Sequence, residues 1–232
     1  SSDIESWRDF GYVRALEDRF KLIMIDARGH GFSDAPESAD NYAPGLFVAD
    51  VEAVLDVVGL ESVTFWGYSM GAAIGFQLAV SAPARIDRFV AGGMHPYGTP
   101  PDTNGTRGPR PTKATSELRE GGMEGFIKAR ERDLDGRLVP KLRNRLLTFS
   151  ASGLASAGEA WAGWEGVRDH VAVIKAPTLL YAGTVDTVFH DGAKRAAHEI
   201  PDARFVSIPG ISHDAGFASS RKALEAIGDF LR

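Results

Sequence analysis

Short apolar runs alternate with longer stretches of helical spacing along most of this chain. Residues 22–26, "LIMID", are closed by Asp26 and the glycine-rich "ARGHGFSDAP", which predicts a buried strand entering a loop. In "LFVADVEAVLDVVGL" the apolar residues Phe47, Val51, Val54, Leu55 and Val58 recur at helical spacing until Gly59, the pattern of an amphipathic helix with a glycine stop. "SVTFWG" then reads as a strand, "MGAAIGFQLAVSAP" as a helix and "IDRFVAGGM" as a strand.

From 95 to 171 the rhythm changes. "HPYGTPPDTNGTRGPRPT" is dense in Pro, Gly and Thr, and three or four short helical stretches follow between about Ser116 and Trp164, so this segment reads as an insertion. At "APTLLYAG" the strand and helix alternation resumes, and it runs through "DGAKRAAHEI" and "ARFVSIPG" to a terminal helix, "SSRKALEAIGDFLR". The expectation is an α/β fold with a mostly parallel, doubly wound sheet. Residues 1–94 and 172–232 form its two parts, and 95–171 form a helical cap.

Composition narrows the class. The 232 residues, 44% of them hydrophobic, suffice for a sizeable core. A formal charge of −5 with scattered Lys and Arg leaves no footprint for nucleic acid or an anionic membrane. No apolar run approaches the roughly 18 residues of a membrane span. A small molecule of neutral or weakly polar character is the expected partner. The absence of cysteine excludes disulfides and thiol chemistry and fits a cytoplasmic protein; because the sequence opens on Ser1, an upstream signal stays open.

The chemistry centres on "WGYSMGAA", residues 66–73. G-x-S-x-G alone is a weak pattern in a glycine-rich chain. Here it falls where a strand turns into a helix, and small residues at 67 and 71–73 relieve the crowding of a strained turn that lifts the Ser69 hydroxyl above the sheet. The competing role for Ser69 is a helix cap. A serine hydroxyl needs a base, and the base an orienting carboxylate. Of six histidines, His213 in "PGISHDAG" opens a loop after the strand "RFVSI", at the carboxyl edge of the sheet. His30 reads as a loop brace, His170 and His198 as surface residues, and His190 as a helix-entry residue. Asp186 in "YAGTVDTVF" lies just beyond a strand on the same edge and is the expected acid. Asp191 reads instead as the cap of the following helix, and Asp214 is too close to His213 in sequence to reach its ring easily.

The order Ser69, Asp186, His213, with "DARGHGFSD", "GYSMG", "GTVD" and "GISH", resembles the α/β-hydrolase fold from about Trp7 to the end. It is most similar to the small bacterial esterase, enol-lactonase and cofactor-free haloperoxidase branch. That resemblance implies a cap after the sixth strand, no metal or organic cofactor, and Met70 as an oxyanion donor through its backbone N–H. An Asp-nucleophile branch is set aside by Ser69. In the family, three strands and an "HG" loop bearing the second oxyanion donor precede the helix that here begins near Trp7. Their loss would leave "KLIMID" and "SVTFW" with unpaired edges. The expectation is that the sequence lacks an N-terminal piece, the alternative being a rearranged sheet, and that the chain as written is nearly inert. Met94 and His95 are expected to line the pocket or brace the cap hinge, and Trp161 and Trp164 to face the pocket or fill a core. Asn104-Gly105-Thr106 reads as loop sequence. The expected function is hydrolysis of a small ester, thioester or lactone, with activity rising with pH as the base loses its proton. A triad-bearing binding protein and a perhydrolase are the alternatives.

Overall fold

The computed structural model describes residues 3–99, 108–133 and 136–232. Four strands lie side by side in chain order: β1 (Val63–Tyr68), β2 (Ile86–Gly92), β3 (Thr178–Gly183) and β4 (Ala203–Ile208). Each neighbouring pair is parallel. The helices are α1 (Ile4–Asp9), α2 (Tyr12–Leu16), α3 (Pro44–Val57), α4 (Met70–Ser81), α5 (Lys113–Asp133), α6 (Pro140–Leu146), α7 (Ala151–Trp161), α8 (His190–Glu199), α9 (His213–Ala218) and α10 (Ser220–Ile227). Parallel neighbours need a crossover; α4 joins β1 to β2 and α8 joins β3 to β4.

Strand burial follows position in the sheet. "TLLYAG" of β3 is buried at all six positions, as an inner parallel strand with apolar cover on both faces should be. The outer strands β1 and β4 both carry exposed positions. In α3 the predicted apolar stripe is present, with Phe47, Val51 and Leu55 buried. Gly59 takes φ +70° and Leu60 N–H returns 2.9 Å to the Leu55 carbonyl, which is how a left-handed glycine ends a helix. Val58 falls outside the helix and is exposed.

The chain divides into two compact units. One comprises Ser1–Ser6, Ile23–Phe47 and Thr99–Trp164. Its core includes Leu118, Phe126 and Ile127 of α5, Leu146 of α6, and Phe149, Leu154 and Ala155. The other comprises Trp7–Leu22, Val48–Gly98 and Glu165–Arg232 and contains the sheet. Its core joins Tyr12, Val90, Leu179, Tyr181, Ile208, Phe217 and Ile227. Burying each large apolar side chain contributes about 1.5–3 kcal/mol before its ordering cost.

Two expectations change. Residues 22–26 form no strand; Ile23 and Met24 are half-buried, and Ile25 is exposed. An apolar run sets burial, whereas a strand also needs a ladder partner, and this one has none among the described residues. The helical unit also takes a narrower piece of the insertion than 95–171, namely 99–164, and adds 23–47 from the expected core. The expected short helical stretches of that segment are present: α5 is two of them meeting at Gly122, where φ is +59° and ψ −159°, and α6 and α7 follow. β1 has β2 as its one partner among the described residues. Asn104-Gly105-Thr106 lies outside the described residues. No helix among them is long and apolar enough to cross a membrane.

Candidate active site

Ser69 stands between the last residue of β1 and the first of α4. Its φ is +53° and ψ −120°, the only positive φ at a non-glycine among the described residues. Such a backbone costs on the order of 1–3 kcal/mol and persists only where its surroundings hold it. Ser69 N–H donates to the Gly92 carbonyl at 2.8 Å, while the Ser69 carbonyl accepts from Ala72 and Ala73. Gly67 is required at this turn because a Cβ there would overlap the Gly71 backbone. The side chain makes no capping bond to α4, which removes the cap role. Met70 is the first helical residue, so its N–H has no carbonyl within the helix to bond and sits at the positive end of the dipole.

The hydroxyl turns instead to His213, whose Nε2 lies 3.0 Å from Ser69 Oγ. His213 Nδ1 lies 2.9 Å from Asp186 Oδ2. Because a carboxylate only accepts, Nδ1 carries the proton, and Nε2 of the neutral ring accepts from the serine. The Asp186 side chain is 1% exposed and that of His213 30%. Asp186 Oδ1 accepts from Phe189 N–H at 3.1 Å, so both carboxylate oxygens are held. The two loops lock together: Val185 N–H donates to the Ile211 carbonyl at 3.1 Å, and a Cβ on Gly183 would strike that same carbonyl. The Phe189 ring lies 4.8 Å from the His213 ring.

Met94 is buried just past β2. His95 follows it, half-buried, with its ring 5.4 Å from Phe189 and 5.2 Å from Tyr97. Burial, followed by the charges of Arg195 and Arg168, holds the His95 imidazole below its ordinary value. Trp161 and Trp164 belong to the helical unit. They meet edge to face at 4.9 Å, and the buried Trp164 donates its indole N–H to the Tyr42 carbonyl at 3.2 Å.

The other histidines separate cleanly. His30 Nδ1 lies 3.2 Å from the Arg28 carbonyl in the loop after residue 26, and burial pushes its imidazole down to about 4. His170 and His198 are exposed. His190 opens α8, the expected helix-entry position, whereas the cap role expected of Asp191 is not met. His190 Nδ1 lies 2.8 Å from Asp191 Oδ1 and its Nε2 2.8 Å from Ser207 Oγ. Asp191 therefore reaches a neighbouring imidazole, and the residue at the helix cap is Phe189, without a side-chain bond. The Tyr68 hydroxyl also went unread from sequence; it donates to the His213 carbonyl at 2.6 Å.

A family model for the alpha/beta hydrolase fold matches residues 2–172. The chain belongs to that family. It is 29% identical over 194 residues to 3-oxoadipate enol-lactonase 2 of Acinetobacter baylyi, covering 81% of this chain and 68% of that protein. The fold is shared with the enol-lactonase of Burkholderia xenovorans LB400, with TM-score 0.77, 24% identity and coverage of 99% of this chain and 85% of that one. It is shared equally with a bromoperoxidase of Bacillus anthracis, with TM-score 0.79, 21% identity and coverage of 99% and 87%.

Proposed function

We propose that this alpha/beta hydrolase is a serine hydrolase that cleaves a carboxylic ester, thioester or lactone of a small substrate through an acyl-enzyme on Ser69. The carrying observation is the unbroken chain from Asp186 through His213 to the Ser69 hydroxyl, at a backbone held in a strained turn. Ser69 Oγ attacks the carbonyl carbon while His213 Nε2 takes its proton. The oxygen that gains charge is met by the Met70 amide and the α4 dipole. His213 then passes the proton to the leaving oxygen, or to the leaving sulfur of a thioester, and the carbonyl re-forms as the C–O or C–S bond breaks. Water, deprotonated by the same imidazole, attacks the acyl-enzyme and frees Ser69. Throughout, Asp186 holds the ring in one tautomer and offsets the imidazolium charge. Met94 and His95, just past β2, are the side chains proposed to face the substrate from the sheet unit.

The likeness to an enol-lactonase at 29% identity supports the lactone end of this range. The test is a fluorophosphonate probe with peptide mapping, followed by aryl esters of increasing acyl length and a small enol-lactone. One adduct per chain, on Ser69 and absent from Ser69→Ala, together with turnover of at least one substrate, is the expected result. No adduct on Ser69 would overturn the reading in favour of a binding protein.

A further inference from the structure

The residue before the nucleophile is a tyrosine whose hydroxyl reaches a backbone carbonyl 145 positions away. That carbonyl belongs to His213. Tyr68 ends β1, its ring stacks on Phe217 of α9 at 5.3 Å and 27°, and it lies 5.4 Å from the His213 ring. It thus touches both the strand that carries Ser69 and the helix that opens with the base.

The surroundings are cleared for this side chain. A Cβ on Gly93, just past β2, would run into the Tyr68 ring and one on Gly216 of α9 into its hydroxyl, while one on Gly92 would strike Tyr181 first and the Tyr68 ring next. Gly93 also has φ +56°; Gly216 shows no positive φ, so space for the Tyr68 hydroxyl alone accounts for it. Burial, with the charge of Asp186 behind it, pushes the Tyr68 phenol well above its ordinary value. It therefore keeps its proton, and its ability to donate, through the neutral and mildly alkaline range.

We infer that Tyr68 is a positioning residue: by clasping the His213 carbonyl it ties the backbone of the base to the strand bearing the nucleophile and sets the distance between Ser69 Oγ and His213 Nε2. This rests on the proposed role of Ser69. His213 sits on a six-residue helix after a loop, and short elements at loop ends are the ones that open locally. Since His213 must receive a proton from one oxygen and deliver it to another, small backbone drift would cost rate without weakening substrate binding.

The molecule supplies its own control. Tyr12 also donates its hydroxyl to a carbonyl of α9, that of Phe217, at 2.8 Å, and is fully buried. Tyr68→Phe keeps the ring and removes the clasp; Tyr12→Phe removes a comparable bond one turn further along. Tyr68→Phe is expected to lower kcat and the rate of Ser69 phosphonylation together, about tenfold, with KM within twofold. Tyr12→Phe should lower Tm while leaving both rates within twofold of wild type. Gly216→Ala, which displaces the Tyr68 hydroxyl from the other side, should act in the same direction as Tyr68→Phe and serves if that variant folds poorly. Rates within twofold for Tyr68→Phe, or equal losses in Tyr12→Phe, would overturn the role of Tyr68 alone. Failure of the wild type to be labelled on Ser69 would overturn this role and the proposed function together.

Discussion

Ser69, His213 and Asp186 are linked at 3.0 and 2.9 Å; Ser207, His190 and Asp191 are linked at 2.8 and 2.8 Å. By distance the second set is the tighter. They differ in what surrounds them. The Asp186 side chain is 1% exposed and that of Asp191 97%, so water screens the second pair and leaves it little more than a surface contact. Asp186 also accepts a backbone N–H that fixes its carboxylate. Ser69 stands in a strained turn at the start of a 12-residue helix, whereas Ser207 is an exposed residue within a regular strand, paired through its backbone to β3. Three side chains in a row make a proton path; a buried acid, a raised hydroxyl and an amide for the developing charge make it useful.

That contrast breaks or holds in a few measurements. The largest effect belongs to Ser69→Ala, expected to lower kcat by about a millionfold; survival of most of the activity would mean that the wrong serine has been chosen. Asp186→Asn should come next, at about ten-thousandfold through the wrong imidazole tautomer, with Asp191→Asn run beside it as the matched change. Gly67→Ala, which forces a methyl into the Gly71 backbone, should displace the turn and cost on the order of a hundredfold, read as kcat on a folded protein.

A third imidazole sharpens the comparison, because His30 is buried and its ring meets the Arg28 carbonyl and, among the described residues, no carboxylate. Below its ordinary 6.5 the unfolded chain binds a proton that the folded one refuses until about pH 4. Its contribution is therefore fully present above 6.5 and lost as pH falls toward 4, amounting to about 3 kcal/mol. Urea unfolding at pH 7 and 4.5 should show this loss in the wild type and a smaller one in His30→Gln. The smallest effect is assigned to Ser207→Ala, whose turnover and phosphonylation should match wild type; an adduct on Ser207 in Ser69→Ala would erase the distinction between the two sets.

Much of this was legible in the chain because local pattern reports local environment. "SVTFWG", "IDRFVAGG", "PTLLYAG" and "ARFVSI" cover the four strands except Tyr68 at the end of β1, and Gly59 ends α3 where the stripe of Phe47, Val51 and Leu55 stops. Ser69, Asp186 and His213 each follow a strand, which is why strand order alone brought them to one edge. Pattern fell short where the partner decides the outcome. Residues 22–26 have the composition of a strand and, among the described residues, no ladder to join. Periodicity cannot tell that 23–47 clusters with 99–164, nor that Asp191 prefers its neighbour's ring to a helix end. The reach of Tyr68 to His213 spans 145 positions and leaves a trace only in the glycines at 92, 93 and 216, visible once the fold is known.

The left-handed turn at residue 69 has a consequence for which alcohol can serve there. A second branch on the β-carbon is scarcely tolerated at positive φ. Threonine, although it offers the same functional group, would have to pull the turn toward negative φ and carry its oxygen away from the imidazole. The backbone thereby selects a primary alcohol over a secondary one before any substrate arrives.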